Sequence, residues 1–134
     1  MLEITSLVTQ KWSTPETLGA VPRGGRYGHS ACVHNRSLVI FGGHKDILTY
    51  RECYNDVRVY HTNRNLWENL KTSGKRVEER RNHAATVYHN KMYVYGGINP
   101  EGEFLRDLWS FDFGKSFLSL CNKIKGICHG LNSV

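Results

Sequence analysis

Two short segments of this chain each place a run of apolar residues directly before a pair of glycines. Residues 38–44 read LVIFGGH and residues 92–98 read MYVYGGI, so the two glycine pairs lie 54 positions apart. Apolar side chains at successive positions predict a β-strand that is covered on both faces, whereas a strand with one solvated face would alternate. Glycines at the end of such a strand permit a sharp turn and the close approach of a neighbouring sheet. The duplication therefore predicts repeated β-sheet units stacked against one another.

Each apolar run is the second strand of a predicted four-stranded unit. The predicted strands of the first unit are residues 30–33, 38–41, 55–60 and 66–70, and those of the second unit are residues 84–88, 92–95 and 106–111. Short turns that contain asparagine join the first two strands in both units, and asparagine tolerates the positive φ of a hairpin turn. The sequence therefore predicts an all-β protein with antiparallel sheets.

Three further features accompany the glycine pairs. Tyr60 and Trp67 stand seven positions apart around the last turn of the first unit, Asp56 recurs in register as Asp107, and PRGGRYGHSA leads into the first strand at residues 22–31. In this order the features closely resemble the kelch repeat. The resemblance implies a partial kelch-type β-propeller of four-stranded antiparallel blades with an incomplete ring. It also implies that Tyr60 and Trp67 pack between blades.

The resemblance divides the chain into four parts. We expect the fourth strand and the linker of a preceding partial blade at 1–26, a complete kelch blade at 27–80, an incomplete blade of three strands at 81–113, and a non-kelch tail at 114–134. The last boundary rests on Leu118, because the family pattern places tryptophan seven positions after Phe111.

The tail suggests how the kelch pattern ends. Apolar residues recur at helical spacing between Phe117 and Cys128. Gly114-Lys115-Ser116 can be encoded by a splice-donor sequence, which predicts intron read-through and a truncated isoform of a longer kelch protein. Two blades would leave sheet edges and apolar faces in water. We therefore expect the chain to oligomerise or to need further blades for stability.

The composition of the chain indicates which classes of partner and which cellular compartment to expect. The net charge is +6, but acidic residues interrupt every long loop, so no contiguous basic stripe for nucleic acid is predicted. No apolar run is long enough to cross a membrane. The four cysteines have no metal-ligand spacing and are interpreted as reduced thiols, which predicts a cytoplasmic protein with a nuclear location as the alternative.

The four longest predicted loops lie on one rim of the blades, and such loops on a rigid sheet usually carry recognition. We therefore predict a protein-interaction module, an adaptor or substrate-recognition fragment, whose partner is a protein with an acidic peptide segment. Arginine and aromatic side chains suit that partner. The predicted partner-binding residues are Arg23, Arg26, Tyr27, Tyr50, Arg51, Arg76, Arg80 and Phe104.

Two alternatives stay open, a fragment of a kelch-type enzyme and an actin-binding structural protein. Glu52 and Asp56 keep part of an iron-ligand spacing known in kelch enzymes, but Tyr60 stands where the histidine would be. No nucleophile or acid–base arrangement is recognisable. The sequence therefore predicts no enzyme, no catalytic residues, no metal site and no cofactor.

Overall fold

A computed structural model describes residues 3–5, 9–22 and 24–121 of the chain. The described residues form fourteen strands and no helix, which confirms the all-β prediction. The strands are β1 (Ile4–Thr5), β2 (Trp12–Ser13), β3 (Leu18–Gly19), β4 (Ser30–His34), β5 (Ser37–Phe41), β6 (His44–Ile47), β7 (Tyr50–Cys53), β8 (Val57–His61), β9 (Leu66–Leu70), β10 (Ser73–Gly74), β11 (Ala84–Tyr88), β12 (Lys91–Tyr95), β13 (Leu108–Asp112) and β14 (Phe117–Leu120).

Two sheets of equal design form the body of the molecule. The first, blade 1, has the strand order β3-β9-β8-β5-β4, and the second, blade 2, has the order β10-β14-β13-β12-β11. Each blade is an antiparallel four-stranded meander with one short parallel strand added outside it. The sheets do not close into a ring, as the partial propeller predicted from the sequence requires. Tyr60 pairs with Trp67 in blade 1 and Phe111 pairs with Leu118 in blade 2, in the same register.

Blade 2 corrects the prediction of three strands at 81–113 followed by a non-kelch tail. Residues 117–120 form its fourth strand and pair with Trp109–Asp112. Leu118 is buried at the position that Trp67 occupies in blade 1. The apolar Leu118 side chain therefore fills the buried position to which the family pattern assigns tryptophan. The expected helical spacing from 117 is therefore wrong for 117–120, its continuation lies outside the described residues, and the other domain boundaries remain predictions.

The core lies between the two blades. Ten buried side chains form one cluster: Val39, Phe41, Val57, Val59, Val77, Met92, Val94, Trp109, Phe111 and Leu118. Blade 1 contributes the face that carries Val39 and Phe41, and blade 2 contributes the opposite face, which carries Met92 and Val94. The counterpart of Phe41 in blade 2 is Tyr95, and it is 45% exposed where Phe41 is 0% exposed. Burial thus depends on whether a second blade covers the face.

The short parallel strands β3 and β10 occupy equivalent places. β3 pairs with the outer strand of blade 1 and β10 pairs with the outer strand of blade 2. Gly19 and Gly74 end these strands with φ values of +80° and +93°. A Cβ atom at either position would collide with the backbone oxygen of Trp67 or Leu118, respectively. Both linkers therefore require glycine at the contact.

Within the described part of the chain, no helix has the length and the apolar character that a membrane span needs.

Candidate functional site

Two of the rim loops begin at the glycine pairs. Gly43 has φ +88°, and its N–H donates to the carbonyl oxygen of Arg80 in the next blade at 2.9 Å. A Cβ atom on Gly43 would lie 2.8 Å from the Cβ of His29, which is closer than side chains tolerate. The turn after β5 therefore packs directly on the neighbouring backbone, and this contact fixes where the following loop leaves the blade.

The rim loop after β5 contains a β-hairpin, formed by β6 and β7, which the sequence analysis did not predict. Strands β6 and β7 pair antiparallel, with Asp46 opposite Arg51 and Ile47 opposite Tyr50. The backbone of Tyr27 pairs with that of His44 at the base of the hairpin. These paired backbones give the loop a defined shape on the rim.

Tyr27 and Arg51, both predicted as site residues, meet at Asp46. The Tyr27 hydroxyl donates to Asp46 Oδ2, and Arg51 Nε donates to Asp46 Oδ1 at 2.8 Å. The hydrogen bond from Tyr27, followed by that from Arg51, lowers the pKa of Asp46. The hydrogen bond to the carboxylate raises the pKa of Tyr27. The Arg51 charge is thus compensated within the hairpin.

Large side chains on the rim loops are exposed to solvent. Tyr27 is 50% exposed, Tyr50 is 60% exposed and Phe104 is 78% exposed. Leu48, at the turn of the hairpin, is fully exposed, and the sequence analysis did not single it out. Its position in an apolar run beside Tyr50 was the available signal. We call these four residues the rim surface.

Arg76 and Arg23 are the remaining arginines among the predicted site residues. The Arg76 side chain is 80% exposed, and its Nη2 atom lies 3.2 Å from Glu79 Oε1. The structure shows no contact between Arg76 and the rim surface among the described residues. Arg23 lies outside the described residues, so its predicted role stays a prediction.

Arg80 corrects the sequence analysis, because its side chain is 0% exposed and cannot contact a partner. Its two Nη atoms donate to both carboxylate oxygens of Asp107, at 2.7 and 2.9 Å, and Nη1 also donates to the Gly96 carbonyl at 3.0 Å. Burial disfavours the charged form of Asp107, but hydrogen bonds from Arg80 and Trp109 outweigh it and lower the pKa. Arg80 is therefore a structural ion-pair residue.

Arg26 makes the same contacts in blade 1 and is also mostly buried. It donates to Asp56 at 2.6 and 3.2 Å and to the Gly42 carbonyl at 3.2 Å, and its guanidinium lies 4.1 Å from the centre of the Tyr54 ring. Its side chain is 11% exposed. These contacts commit Arg26 to the fold, contrary to its predicted role as a partner contact. The recurrence of both the arginine and the aspartate in the two repeats was the signal for this structural role.

The remaining rim loops are tied to one another. Asn99 Nδ2 donates to Glu78 at 2.8 Å and to Glu103 at 3.0 Å, and Asn99 Oδ1 accepts from the backbone N–H of Glu103 at 2.7 Å. Arg81 Nη1 donates to the Asn99 carbonyl at 3.0 Å. The loop that carries Phe104 is therefore anchored to the segment between the blades.

Two histidines, the buried His44 and the half-buried His83, lie close to the glycine pairs. His44 and His83 each have a buried Nδ1 atom without a hydrogen-bond partner among the described residues. His83 Nε2 lies 2.9 Å from Ser30 Oγ, and burial, followed by the charge of Arg80, lowers the pKa of His83 to about 4. Among the residues that the structure describes, no three His, Cys, Asp or Glu side chains gather in a way that could hold a metal ion.

Known proteins match most of the chain. Residues 2–129 match the family described as the KLHDC2/KLHL20/DRC7 Kelch-repeats domain. Kelch domain-containing protein 3 of Rattus norvegicus is 42% identical over 90 residues, which are 66% of this chain and 22% of that protein. Kelch repeat-containing protein 2 of Saccharomyces cerevisiae is 30% identical over 125 residues, which are 86% of this chain and 14% of that protein. The chain spans less than a quarter of the length of these curated relatives.

Solved structures give the same fold. The structure of YjhT aligns with a TM-score of 0.68 at 22% identity, over 83% of this chain and 41% of that chain. This likeness shows the propeller architecture alone, whereas the family match extends over almost the whole sequence and confirms the resemblance inferred from the glycine pairs. The chain therefore belongs to the family of the KLHDC2/KLHL20/DRC7 Kelch-repeats domain.

Proposed function

We propose that this chain is a non-catalytic protein-interaction module, an adaptor or substrate-recognition fragment, that holds a protein partner on its rim surface. The observation that carries the proposal is the exposure of Tyr27, Leu48, Tyr50 and Phe104 on loops that leave the same rim. Aromatic side chains on ordered loops are frequent anchors of protein interfaces, because they bury a large area at a low cost in conformational entropy.

The loops that carry these residues are held by hydrogen bonds. The hairpin pairs four residues on each side, and the Asn99 contacts fix the Phe104 loop. A surface that is ordered before binding loses little entropy when a partner docks. This favours recognition of a defined partner over non-specific adhesion.

Arg51 lies next to Tyr50 in the hairpin and its side chain is 46% exposed, which supports an acidic segment as the feature that the partner presents. Guanidinium groups bind carboxylates with paired, charge-assisted hydrogen bonds. Cys32, Cys53 and Cys121 are free thiols, which suits a module that works in the cytoplasm or the nucleus. Further blades or another copy of the chain would cover the exposed face at Tyr95.

A selection from a random twelve-residue peptide library displayed on phage tests the proposal. The immobilised chain should enrich peptides with acidic residues, and the double variant Tyr50→Ala/Phe104→Ala should lose them, because it removes two anchors. The matched control is Tyr88→Ala, which removes an exposed tyrosine away from the rim surface. Enrichment that is equal on all three proteins, or on none, would contradict the proposal.

A further inference from the structure

Arg81 is a buried cation that has no counter-ion within the part of the chain that the structure describes. It is 9% exposed, and it forms no ion pair with any carboxylate of the described residues. Its Nη1 atom donates to the Asn99 carbonyl at 3.0 Å and lies 3.7 Å from Cys53 Sγ. Burial of a charge that no opposite charge compensates destabilises a fold, so a residue of this kind indicates a role other than stability.

The preceding residue, Arg80, is a buried arginine whose charge is compensated by a carboxylate. Arg80 is buried as well, but both of its Nη atoms bind Asp107. The two arginines are adjacent in the chain and both buried, at 0% and 9% exposed, and among the described residues only Arg80 has a carboxylate partner. The fold therefore supplies a counter-ion where a guanidinium is structural.

Comparison of the two repeats shows that one position keeps its residue and that the next position does not. Arg26 and Arg80 are equivalent and make the same ion pair, whereas the next position is Tyr27 in blade 1 and Arg81 in blade 2. The backbone of each bridges to the residue after the glycine pair, Tyr27 to His44 and Arg81 to Ile98. The backbone geometry is thus kept while the side chain changes, as recognition positions on a shared scaffold do.

Arg81 also lies at the junction of the two parts of the rim surface. Its guanidinium contacts Cys53, the last residue of the hairpin, and Asn99, the residue that anchors the Phe104 loop. Its charge also lowers the pKa of His44, after the larger effects of burial and Arg51. The Arg81 guanidinium is therefore adjacent to any partner segment that contacts both the hairpin and the Phe104 loop.

We propose that Arg81 is the anchor that selects an acidic side chain of the partner, so that the carboxylate of a bound Asp or Glu completes the ion pair that the fold leaves open. The proposal rests on the proposed function of the rim surface and names its specificity-determining residue. Contacts to Cys53 and Asn99 hold the guanidinium in place, which leaves its remaining donors to the ligand.

Two readouts on Arg81→Met test this assignment. A fluorescence-anisotropy titration uses one acidic peptide recovered from the phage library and its amide counterpart, with each Asp and Glu replaced by Asn and Gln. Arg81→Met should weaken binding of the acidic peptide about ten- to a hundredfold and leave binding of the amide peptide unchanged, since charge-assisted hydrogen bonds contribute on this scale. Urea unfolding should show that the variant is at least as stable as the natural chain, because an uncompensated charge is removed.

Arg76→Met is the matched control, as it removes an exposed arginine of the same loop that already pairs with Glu79. It should leave both titrations unchanged. A destabilised Arg81→Met protein, or one that binds the acidic peptide as tightly as the natural chain, would overturn the assignment while leaving the rim surface intact. Library selection of peptides that need Tyr50 and Phe104 but carry no acidic residue would do the same, and a library that enriches nothing would remove the proposed function first.

Discussion

The same three-part arrangement occurs once in each blade, but the aspartate also accepts from Arg58 Nε at 2.7 Å in blade 1 and from Trp109 Nε1 at 2.5 Å in blade 2. An arginine donates to both oxygens of an aspartate and to the carbonyl of the first glycine of the pair, as Arg26 and Asp56 in blade 1 and as Arg80 and Asp107 in blade 2. The Arg80 side chain is sealed between the blades, whereas that of Arg26 borders a cavity of about 370 Å³ beside blade 1. The repeat determines which residues form the ion pair. Burial by the neighbouring blade determines how much that ion pair contributes to stability.

The histidines that follow these arginines show the same contrast. His83 is covered by blade 1, and its pKa is lowered to about 4 by burial and by the charge of Arg80. Its counterpart His29 also has a lowered pKa, from burial and from Arg26, but the shift is smaller. A contact between blades therefore changes the chemistry of a residue that the repeat itself keeps constant.

Removal of the two arginines should give the largest difference between the blades. Arg80→Ala removes a fully enclosed side chain and leaves Asp107 without an ion-pair partner among the described residues, so it should lower the free energy of unfolding by about 3–5 kcal/mol. Arg26→Ala should lower it by about 1–2 kcal/mol, because Asp56 keeps its ion pair with Arg58 at 2.7 Å. Urea unfolding followed by tryptophan fluorescence measures both. Equal losses would show that neither the covering blade nor the second ion pair of Asp56 has an energetic role.

Loss of the aromatic pair in blade 1 should have the next largest effect. Trp67 is buried, and its ring centre lies 5.1 Å from that of Tyr60. Trp67→Ala should lower the free energy of unfolding by about 3 kcal/mol, at the lower end of the range for a core tryptophan, because this side already borders a cavity. Trp12→Ala is the control, since Trp12 is largely exposed and should matter by no more than about 0.5 kcal/mol. Unchanged unfolding of Trp67→Ala would contradict the packing role.

The pH dependence of stability should give the smallest difference. The pKa of His83 is 6.5 in the unfolded chain and about 4 in the fold, so the unfolded chain takes up a proton first as the pH falls. The stability that neutral His83 allows is complete above pH 6.5 and is lost between pH 6.5 and about 4. The whole interval corresponds to about 3 kcal/mol, and partial contact with solvent reduces the expected loss to about 2 kcal/mol.

His83→Gln tests this, because glutamine keeps a polar side chain without a proton to gain. Urea unfolding at several pH values should show a flatter profile for His83→Gln than for the natural chain. His29→Gln should flatten the profile less, since the pKa of His29 is shifted less. A profile that responds equally to both substitutions would remove the distinction between a covered and an open blade.

Local pattern was sufficient to predict most of the fold. Both hairpins that precede the glycine pairs and the third strands follow from period, turn chemistry and repetition. The contact of Tyr60 with Trp67 follows from the resemblance to the kelch repeat. β14 was not predicted, because a four-residue strand with leucine in place of tryptophan carries little local signal. Its position is set by pairing with β13, which only the folded sheet supplies.

The candidate site was harder to predict. Tyr27, Tyr50 and Phe104 are exposed on the rim, as loop position suggests. Arg80 and Arg26 were misassigned, because an arginine in a loop reads as a surface charge unless its partner is known, and Asp107 lies 27 positions from Arg80. Burial of an ionic group is decided by such distant pairings. This is also why Arg81, adjacent to Arg80 and different in its contacts, could not be distinguished from it.

The two-residue strands β3 and β10 allow the linkers to cover the outer strands of the blades as well as to connect them. An outer strand without a neighbour offers its free amide and carbonyl groups to any other chain that can extend the sheet. Here the segment that precedes each blade in the sequence covers the outer strand of that blade. A protease cut or a bulky side chain at Gly19 or Gly74 would therefore turn an otherwise well-packed blade into a template for aggregation while its interior stayed intact.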